Sequence, residues 1–431
     1  MSLKKNALAT VALTGIAVAV SSAYAAGFQL TEQSSLGLGR AFAGAGIVGD
    51  DLSAAHYNAA GMTLLPGTQI QAGSVYVEVD APFKGVNGES ENGRLKGQAI
   101  PAGYITHQLN DQTWVGLSMT VPYGLGTEWS QFWDGSDHGN QSMLMTVDIN
   151  PNIAYKVSDK LSVGAGVSLQ YAKAELGAAA MGMVDTVVNG DSWAWGFNLG
   201  LMYQPTETLR FGLAYRSQIA HDAAGDIKIS FKEGSPVANM LGAAGITGLY
   251  GDDFNVRVTT PDTIMATATW EATPDLRLSG LIRWARWSNL DQLNISSQKI
   301  FELGSMTQAL TGKTPSATKV NYYNWEDTWL FTLGADYRLN NEWTVRGGVA
   351  YETSAVDDPK TRTATIPDAD RVWLSLGATY NYSKQIQFDF GATYLMGVGN
   401  MELWNEAGTR KVGEFDGLDA FILGAQFQYR F

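Results

Sequence analysis

A chain of 431 residues would ordinarily divide into two or three soluble domains. Only 16% of this one is charged, against about 25% in ordinary soluble domains, while it carries 48 glycines and 11% aromatic residues, a balance suited to a wall with one face in lipid. The absence of cysteine removes a disulfide scaffold, thiolate-bound zinc, iron–sulfur clusters and thiol chemistry, and the net charge of −13 argues against nucleic acid as a partner.

At the N-terminus, Lys4 and Lys5, the apolar stretch Ala7–Val20 and the small-residue site Ala23-Tyr24-Ala25 read as an export signal, residues 1–25, removed after Ala25. The stretch is shorter than the ~20 residues a spanning helix needs, and no later apolar run approaches that length, so a helical membrane protein is excluded. Residues 26–67 do not alternate. They are rich in small residues yet carry Leu36, Leu38, Phe42, Ile47, Val48, Leu64 and Leu65, which argues for a compact plug, or hatch, rather than a disordered tail. Gly44-Ala45-Gly46-Ile47-Val48-Gly49 matches G-x-G-x-x-G, but no strand precedes it and Asp50-Asp51 follows where a phosphate-cradling helix would start, so it is not read as a nucleotide site.

From residue 68 to residue 431 the period is two. Leu161, Val163, Ala165, Val167, Leu169 and Tyr171 share one face against Ser162, Gly164, Gly166, Ser168 and Gln170; Trp193, Trp195, Phe197, Leu199 and Leu201 repeat the pattern, as do Ile386, Phe388, Phe390, Ala392 and Tyr394. The last strand places Phe421, Leu423, Ala425, Phe427, Tyr429 and Phe431 on one face. Polar faces of Gly, Ser, Thr, Asn and Gln, with aromatics near the ends of the apolar faces, describe an outer-membrane barrel rather than a soluble sandwich. Short polar turns at Asn110-Asp111, Ser158-Asp159, Pro205-Thr206-Glu207, Thr273-Pro274-Asp275, Asn340-Asn341 and Tyr382-Ser383-Lys384 delimit seven hairpins. The expected fold is all-β: a fourteen-stranded antiparallel transmembrane β-barrel, residues 68–431, with the N-terminal hatch inside its lumen.

Two loops are unusually apolar. Leu176 to Val188 carries Met181, Met183, Val184, Val187 and Val188; Val237, Met240 and Leu241 recur at helical spacing and are followed by Ile246 and Leu249. They read either as two short helices packed together or as an open groove that captures amphipathic molecules, for which flexible thioethers are well suited. Pro122 stands inside the third strand with Tyr123 and Gly124 after it, and proline cannot donate to a ladder, so the wall is expected to bulge or to open there. His56, His107, His138 and His221 show no metal-ligand spacing and nothing singles out a nucleophile, so no catalytic or metal site and no cofactor is expected.

AGFQLTEQSSLGLGRAFAG from Ala26, Asn58-Ala59-Ala60, Pro122-Tyr123-Gly124-Leu125, Arg286-Trp287-Ser288 and Ile366-Pro367-Asp368-Ala369-Asp370-Arg371 resemble the FadL family of outer-membrane transporters for long-chain fatty acids and other hydrophobic compounds. The resemblance implies a barrel plugged by a hatch that includes Phe28, Phe42, Asn58, Ala59 and Ala60, with Ala59 where the family commonly has proline. It implies ligand capture between the apolar loops and lateral exit through a wall gap at Pro122, Tyr123 and Gly124. For a head group it points to a basic residue in the fifth strand, where Lys173 stands but by parity faces outward unless a bulge turns it. In the tenth strand the matching position is Glu326, which parity with Thr328, Leu330 and Thr332 places inward. The expected function is passive transport of long-chain fatty acids across the outer membrane of a Gram-negative bacterium by a monomer. It would contact outer-membrane lipid and lipopolysaccharide, and the barrel-assembly machinery would read the strand ending in Phe431. The alternatives are uptake of aromatic or aliphatic hydrocarbons, and a structural or adhesive barrel that serves as a phage receptor.

Overall fold

The computed structural model describes residues 27–431 apart from 94–96, 132, 134, 137, 138, 181, 313 and 406. The export signal, Met181 and His138 lie outside the described residues.

Fourteen strands form the wall: β1 (Thr68–Asp80), β2 (Gln98–Gln108), β3 (Thr113–Thr120 and Gly124–Glu128), β4 (Gln141–Ser158), β5 (Leu161–Ala180), β6 (Val184–Tyr203), β7 (Leu209–Arg216 and Ala220–Phe231), β8 (Gly248–Thr259 and Thr263–Glu271), β9 (Leu276–Ala285 and Gln292–Ser296), β10 (Thr318–Tyr322 and Thr328–Arg338), β11 (Trp343–Glu352), β12 (Asp370–Asn381), β13 (Ile386–Val398) and β14 (Asp419–Arg430). Neighbours pair antiparallel, and β14 returns to β1 in register from Gln69↔Arg430 to Asp80↔Asp419, so the sheet closes without an edge. All six short turns join consecutive strands at one end of the barrel.

The period-two faces fall as the sequence requires. Trp193, Trp195, Leu199, Phe390, Phe421 and Leu423 are exposed on the outer face, while Gln170, Ser168, Asp389, Thr393, Gln426 and Gln428 are buried inside. Residues 27–67 are largely buried against the polar inner faces of the wall. This segment carries two one-turn helices, α1 (Ser35–Leu38) and α2 (Ala54–Tyr57), and a 3-10 turn, Ala59–Leu64. Inward-facing glycines let its backbone approach: a Cβ at Gly391 would lie 2.3 Å from the Ser35 carbonyl oxygen, one at Gly348 2.3 Å from the Arg40 carbonyl carbon and one at Gly164 2.4 Å from Ala60 N. The G-x-G-x-x-G run lies in this segment as tight turns, with Gly44, Gly46 and Gly49 all at positive φ.

At the end opposite the short turns, α3 (Pro236–Gly242) and α4 (Gln298–Thr311) lie on the connections. Of the two apolar loops, only the second forms a helix. Leu176–Val188 instead belongs to the ends of β5 and β6, whose ladder continues as far as Ala180↔Val184.

Candidate functional site

Five strands break: β3 at 121–123, β7 at 217–219, β8 at 260–262, β9 at 286–291 and β10 at 323–327. In β3 the break separates the wall. Its ladder with β2 runs only from Gln108↔Trp114 to Gly103↔Met119, so the outer half of β2, which includes Pro101, pairs with β1 alone among the described residues. Pro101 and Pro122 both lack the N–H that would join the two strands there.

Residues 28–33 of the N-terminal segment take the place of the missing ladder. Leu30 N–H donates to the Pro122 carbonyl (2.8 Å) and Gly124 N–H to the Phe28 carbonyl (3.0 Å). The Gln33 side-chain amide donates to the Val121 carbonyl (2.7 Å) and accepts from Val121 N–H (3.0 Å). Tyr123 N–H is taken by Thr146 Oγ1 at 2.9 Å. Of these five backbone groups at the break, four are paired by the N-terminal segment and one by β4, as buried peptide groups require. Phe28 lies at the centre of this arrangement, its ring 6.0 Å from Tyr123, 4.7 Å from Trp287 and 5.9 Å from Trp325, and so touches the breaks in β3, β9 and β10 together.

Two cavities flank the break. The outer chamber, about 40 Å³, is lined by Phe28, Leu144, Ala172, Leu176, Val188 and Phe254, with further apolar groups around them; no charged side chain lines it. The inner pocket, about 50 Å³, is mixed: Phe42, Met265, Leu281 and Leu330 share it with His56, Tyr57, Arg216 and Arg283, and Pro122 and Tyr123 form part of its wall. Arg283 is held by Glu352 (2.9 Å) and Thr31 (2.8 Å). Arg216 lies 3.5 Å from Asp148, a long contact, and donates to Ser168 Oγ at 2.8 Å. Burial, reinforced by Arg216 and Arg283, holds His56 well below the usual imidazole range, so it stays neutral.

The sequence-derived candidates are only partly brought together. Val184, Val237 and Leu241 are buried, Met183, Ile246 and Leu249 pack against the same cluster, and Met240 alone is well exposed. Much of the expected groove is therefore packed into the hydrophobic cluster rather than open. Phe28 and Phe42 line the cavities. Asn58 caps the 3-10 turn through Ala60 N–H and donates to the Leu201 carbonyl of β6 at 3.0 Å. Ala59 is the first residue of that turn, a position that also accommodates proline. Lys173 is exposed while its neighbour Ala172 is buried, so parity holds and it faces outward. Glu326 is a correction: it is exposed, not luminal. It lies in the β10 break, where Asn324 takes φ +47° and the alternation that buries Thr328 and Leu330 does not extend. The cations that line the inner pocket are Arg216 and Arg283, which the sequence reading missed. Arg283 alternates with Leu281 and Ser279 on the inner face of β9, so parity would have revealed it.

The family described as outer membrane protein transport protein (OMPP1/FadL/TodX) matches residues 16–431. A long-chain fatty acid transport protein of Escherichia coli O6:H1 is 30% identical over 466 residues, covering all of both chains. Outer membrane protein P1 of Haemophilus influenzae is 30% identical over 437 residues, covering 89% of each. Among solved structures, a FadL homologue from Pseudomonas aeruginosa superposes with a TM-score of 0.80 at 22% identity, covering 94% of this chain and 100% of that one. The Ralstonia pickettii toluene transporter TbuX gives 0.68 at 19% identity, covering 92% and 98%. With a closed fourteen-stranded wall and a family match over residues 16–431, the chain belongs to the OMPP1/FadL/TodX family: it is a Gram-negative outer-membrane transporter of hydrophobic compounds rather than an enzyme.

Proposed function

We propose that the protein carries long-chain fatty acids, with residues 26–67 acting as a hatch and residues 68–431 as the conduit. Ligand is captured where Met240 and its neighbours border the outer entrance, enters the apolar chamber, and leaves sideways through the β3 break into the bilayer. The observation that carries this reading is the partner set of the break: residues 28–33 hydrogen-bond the backbone of Val121, Pro122 and Gly124, so moving them opens chamber and wall together. Lateral exit follows from energetics as well. Each CH₂ passed into water costs about 0.8 kcal/mol, so a long acyl chain runs downhill into lipid and uphill into the periplasm. The inner pocket, with Arg216 and Arg283 among apolar groups, suits an amphipathic acid.

The rival substrate class is hydrocarbons, favoured by the uncharged lining of the outer chamber. Growth on oleate of a strain deleted for its own fatty acid transporter tests the reading. Complementation by this protein is expected, and failure on oleate with success on an aromatic or alkane carbon source transfers the assignment to hydrocarbons.

A further inference from the structure

The chamber floor carries a hydrogen-bonded trio that packing alone does not require. His221 on β7 lines the chamber, and Gln170 on β5 and Ser192 on β6 lie behind it, each two residues along its strand from a lining residue, Ala172 and Gly190, and on the same inward face. His221 Nε2 lies 3.0 Å from Gln170 Oε1, and Ser192 Oγ lies 2.9 Å from His221 Nδ1. The Gln170 amide nitrogen faces Asp148 Oδ2 at 3.3 Å, which fixes its oxygen toward the imidazole. An amide oxygen only accepts, so the imidazole proton is on Nε2. Bare Nδ1 then accepts from the Ser192 hydroxyl. The serine oxygen keeps its own lone pairs for another donor.

Few other groups in the chamber offer such an acceptor. Thr146 Oγ1 donates to the Tyr123 carbonyl (2.8 Å) and accepts from Tyr123 N–H (2.9 Å), and Thr260 Oγ1 accepts from Ile219 N–H at 3.0 Å and donates to the Ile219 carbonyl at 3.3 Å. A polar head entering this apolar space loses water and must find a partner. We propose that Ser192, oriented by His221 and Gln170, is a recognition site for the un-ionised, hydrogen-donating head of a long-chain ligand, an alcohol or a protonated carboxylic acid. The proposal rests on the transport reading and narrows its substrate class: a chain with one donor at its end is preferred over a plain alkane.

The test uses the full-length protein in detergent micelles, with binding followed by intrinsic tryptophan fluorescence and each affinity corrected for partition into the micelle. The ligands are hexadecan-1-ol, hexadecane and 1-methoxyhexadecane, which keeps the oxygen but has no proton to donate. Wild type should bind the alcohol about tenfold more tightly than the ether or the alkane, the worth of one buried hydrogen bond. The variant Ser192→Ala, checked for heat-modifiable mobility on gels, should lose that tenfold and bind hexadecane as before. Equal binding of alcohol and ether by wild type overturns the proposal without any variant, as does a variant that weakens all three ligands alike, which is the mark of a packing role. Wild type that binds none of the three overturns the transport reading with it.

Discussion

The barrel wall has two sides that treat the N-terminal segment differently. From β11 through β14 to β1 the strands run unbroken, and the segment presses on them backbone to backbone. A Cβ at Gly377 would meet Gly39 Cα at 2.8 Å, Ser35 N–H donates to Gln426 Oε1 at 2.8 Å, and the Leu38 carbonyl accepts from Thr393 Oγ1 at 3.3 Å. Arg40 and Asp50 add ion pairs to Asp336 and Arg277 on the unbroken lower ends of β10 and β9. At the breaks of β7 to β10, by contrast, side chains replace ladders: Asp262 pairs with Arg286 (2.6 Å) and Tyr215 (2.6 Å), and the Trp284 indole donates to Asp327 (3.0 Å), while at β3 a short backbone pairing of residues 28–30 stands in. At the β3 break the segment is held by residues 28–33 and the ring of Phe28, and on β7 Arg210 and Arg216 donate to the Val48 (3.0 Å) and His56 (2.9 Å) carbonyls. A closed ladder must break as a whole, whereas a handful of side-chain contacts exchange one at a time. The same segment therefore meets continuous ladders on one side and interrupted ones on the other.

The largest expected effect lies on the continuous side. Gly391→Val places side-chain atoms in the volume of the Ser35 carbonyl, and rigid backbone cannot yield as a side-chain tip would, so the cost exceeds the usual 1–3 kcal/mol of overpacking. The variant should assemble a barrel with normal heat-modifiable mobility yet sensitise cells to small hydrophilic antibiotics. Unchanged sensitivity would show that α1 does not need this seat. On the interrupted side, Pro122→Val with Gly124→Thr restores an N–H and β-favouring residues to β3. Oleate uptake should fall at least tenfold while ligand binding at the outer loops persists; undiminished uptake by a protein whose β3 is continuous would end the lateral route.

A pH experiment sharpens the contrast further. Glu32, on the stretch at the β3 break, is buried, and neither carboxyl oxygen has a hydrogen-bond partner outside its own residue. Burial, aided by Glu352 and opposed by Arg283 and Arg371, raises it from 4.5 to about 7. A raised acid holds its proton more tightly in the docked state than in the undocked one. Docking is therefore at full strength below pH 4.5 and weakens as pH rises to about 7, by on the order of 3 kcal/mol over that range. Amide hydrogen exchange at residues 28–33 should quicken across that window in wild type, after correction for intrinsic rates, and stay flat in Glu32→Gln. A wild-type profile retained by the variant would assign the titration elsewhere.

Legibility in the sequence follows the same division. Where strands are unbroken, period two and the turn residues specify faces, strand count and closure, because a one-residue slip would turn Phe421 and Leu423 inward. Where strands break, parity loses its meaning. Thr260-Pro261-Asp262 and Arg286-Trp287-Ser288 mark breaks in β8 and β9, but nothing local says that Asp262 will pair with Arg286 across the gap. The Ser192–His221–Gln170 trio is likewise invisible in sequence order, since its members meet only through the registers of three strands. The β5–β6 hairpin misled in the opposite sense: its apolar end continues as strand beyond the membrane face, and Met183 and Val184 there read as a loop helix.

The smallest expected effect concerns the two residues on which sequence parity was tested most sharply. Lys173 obeys it and faces out; Glu326 escapes it because the chain leaves the ladder between Tyr322 and Thr328. Both side chains are exposed, Lys173 on the outer face and Glu326 in the β10 break, away from the groups that line the outer chamber and the inner pocket. Exposed charges contribute about 0–1 kcal/mol through their ion pairs. Lys173→Ala and Glu326→Ala should each leave oleate uptake within about twofold of wild type, whereas Arg216→Met, which removes a cation that lines the inner pocket, should lower it by more. A Glu326→Ala effect as large as that of Arg216→Met would mean that the β10 break swings inward during transport, and that the broken side of the wall moves together with the hatch.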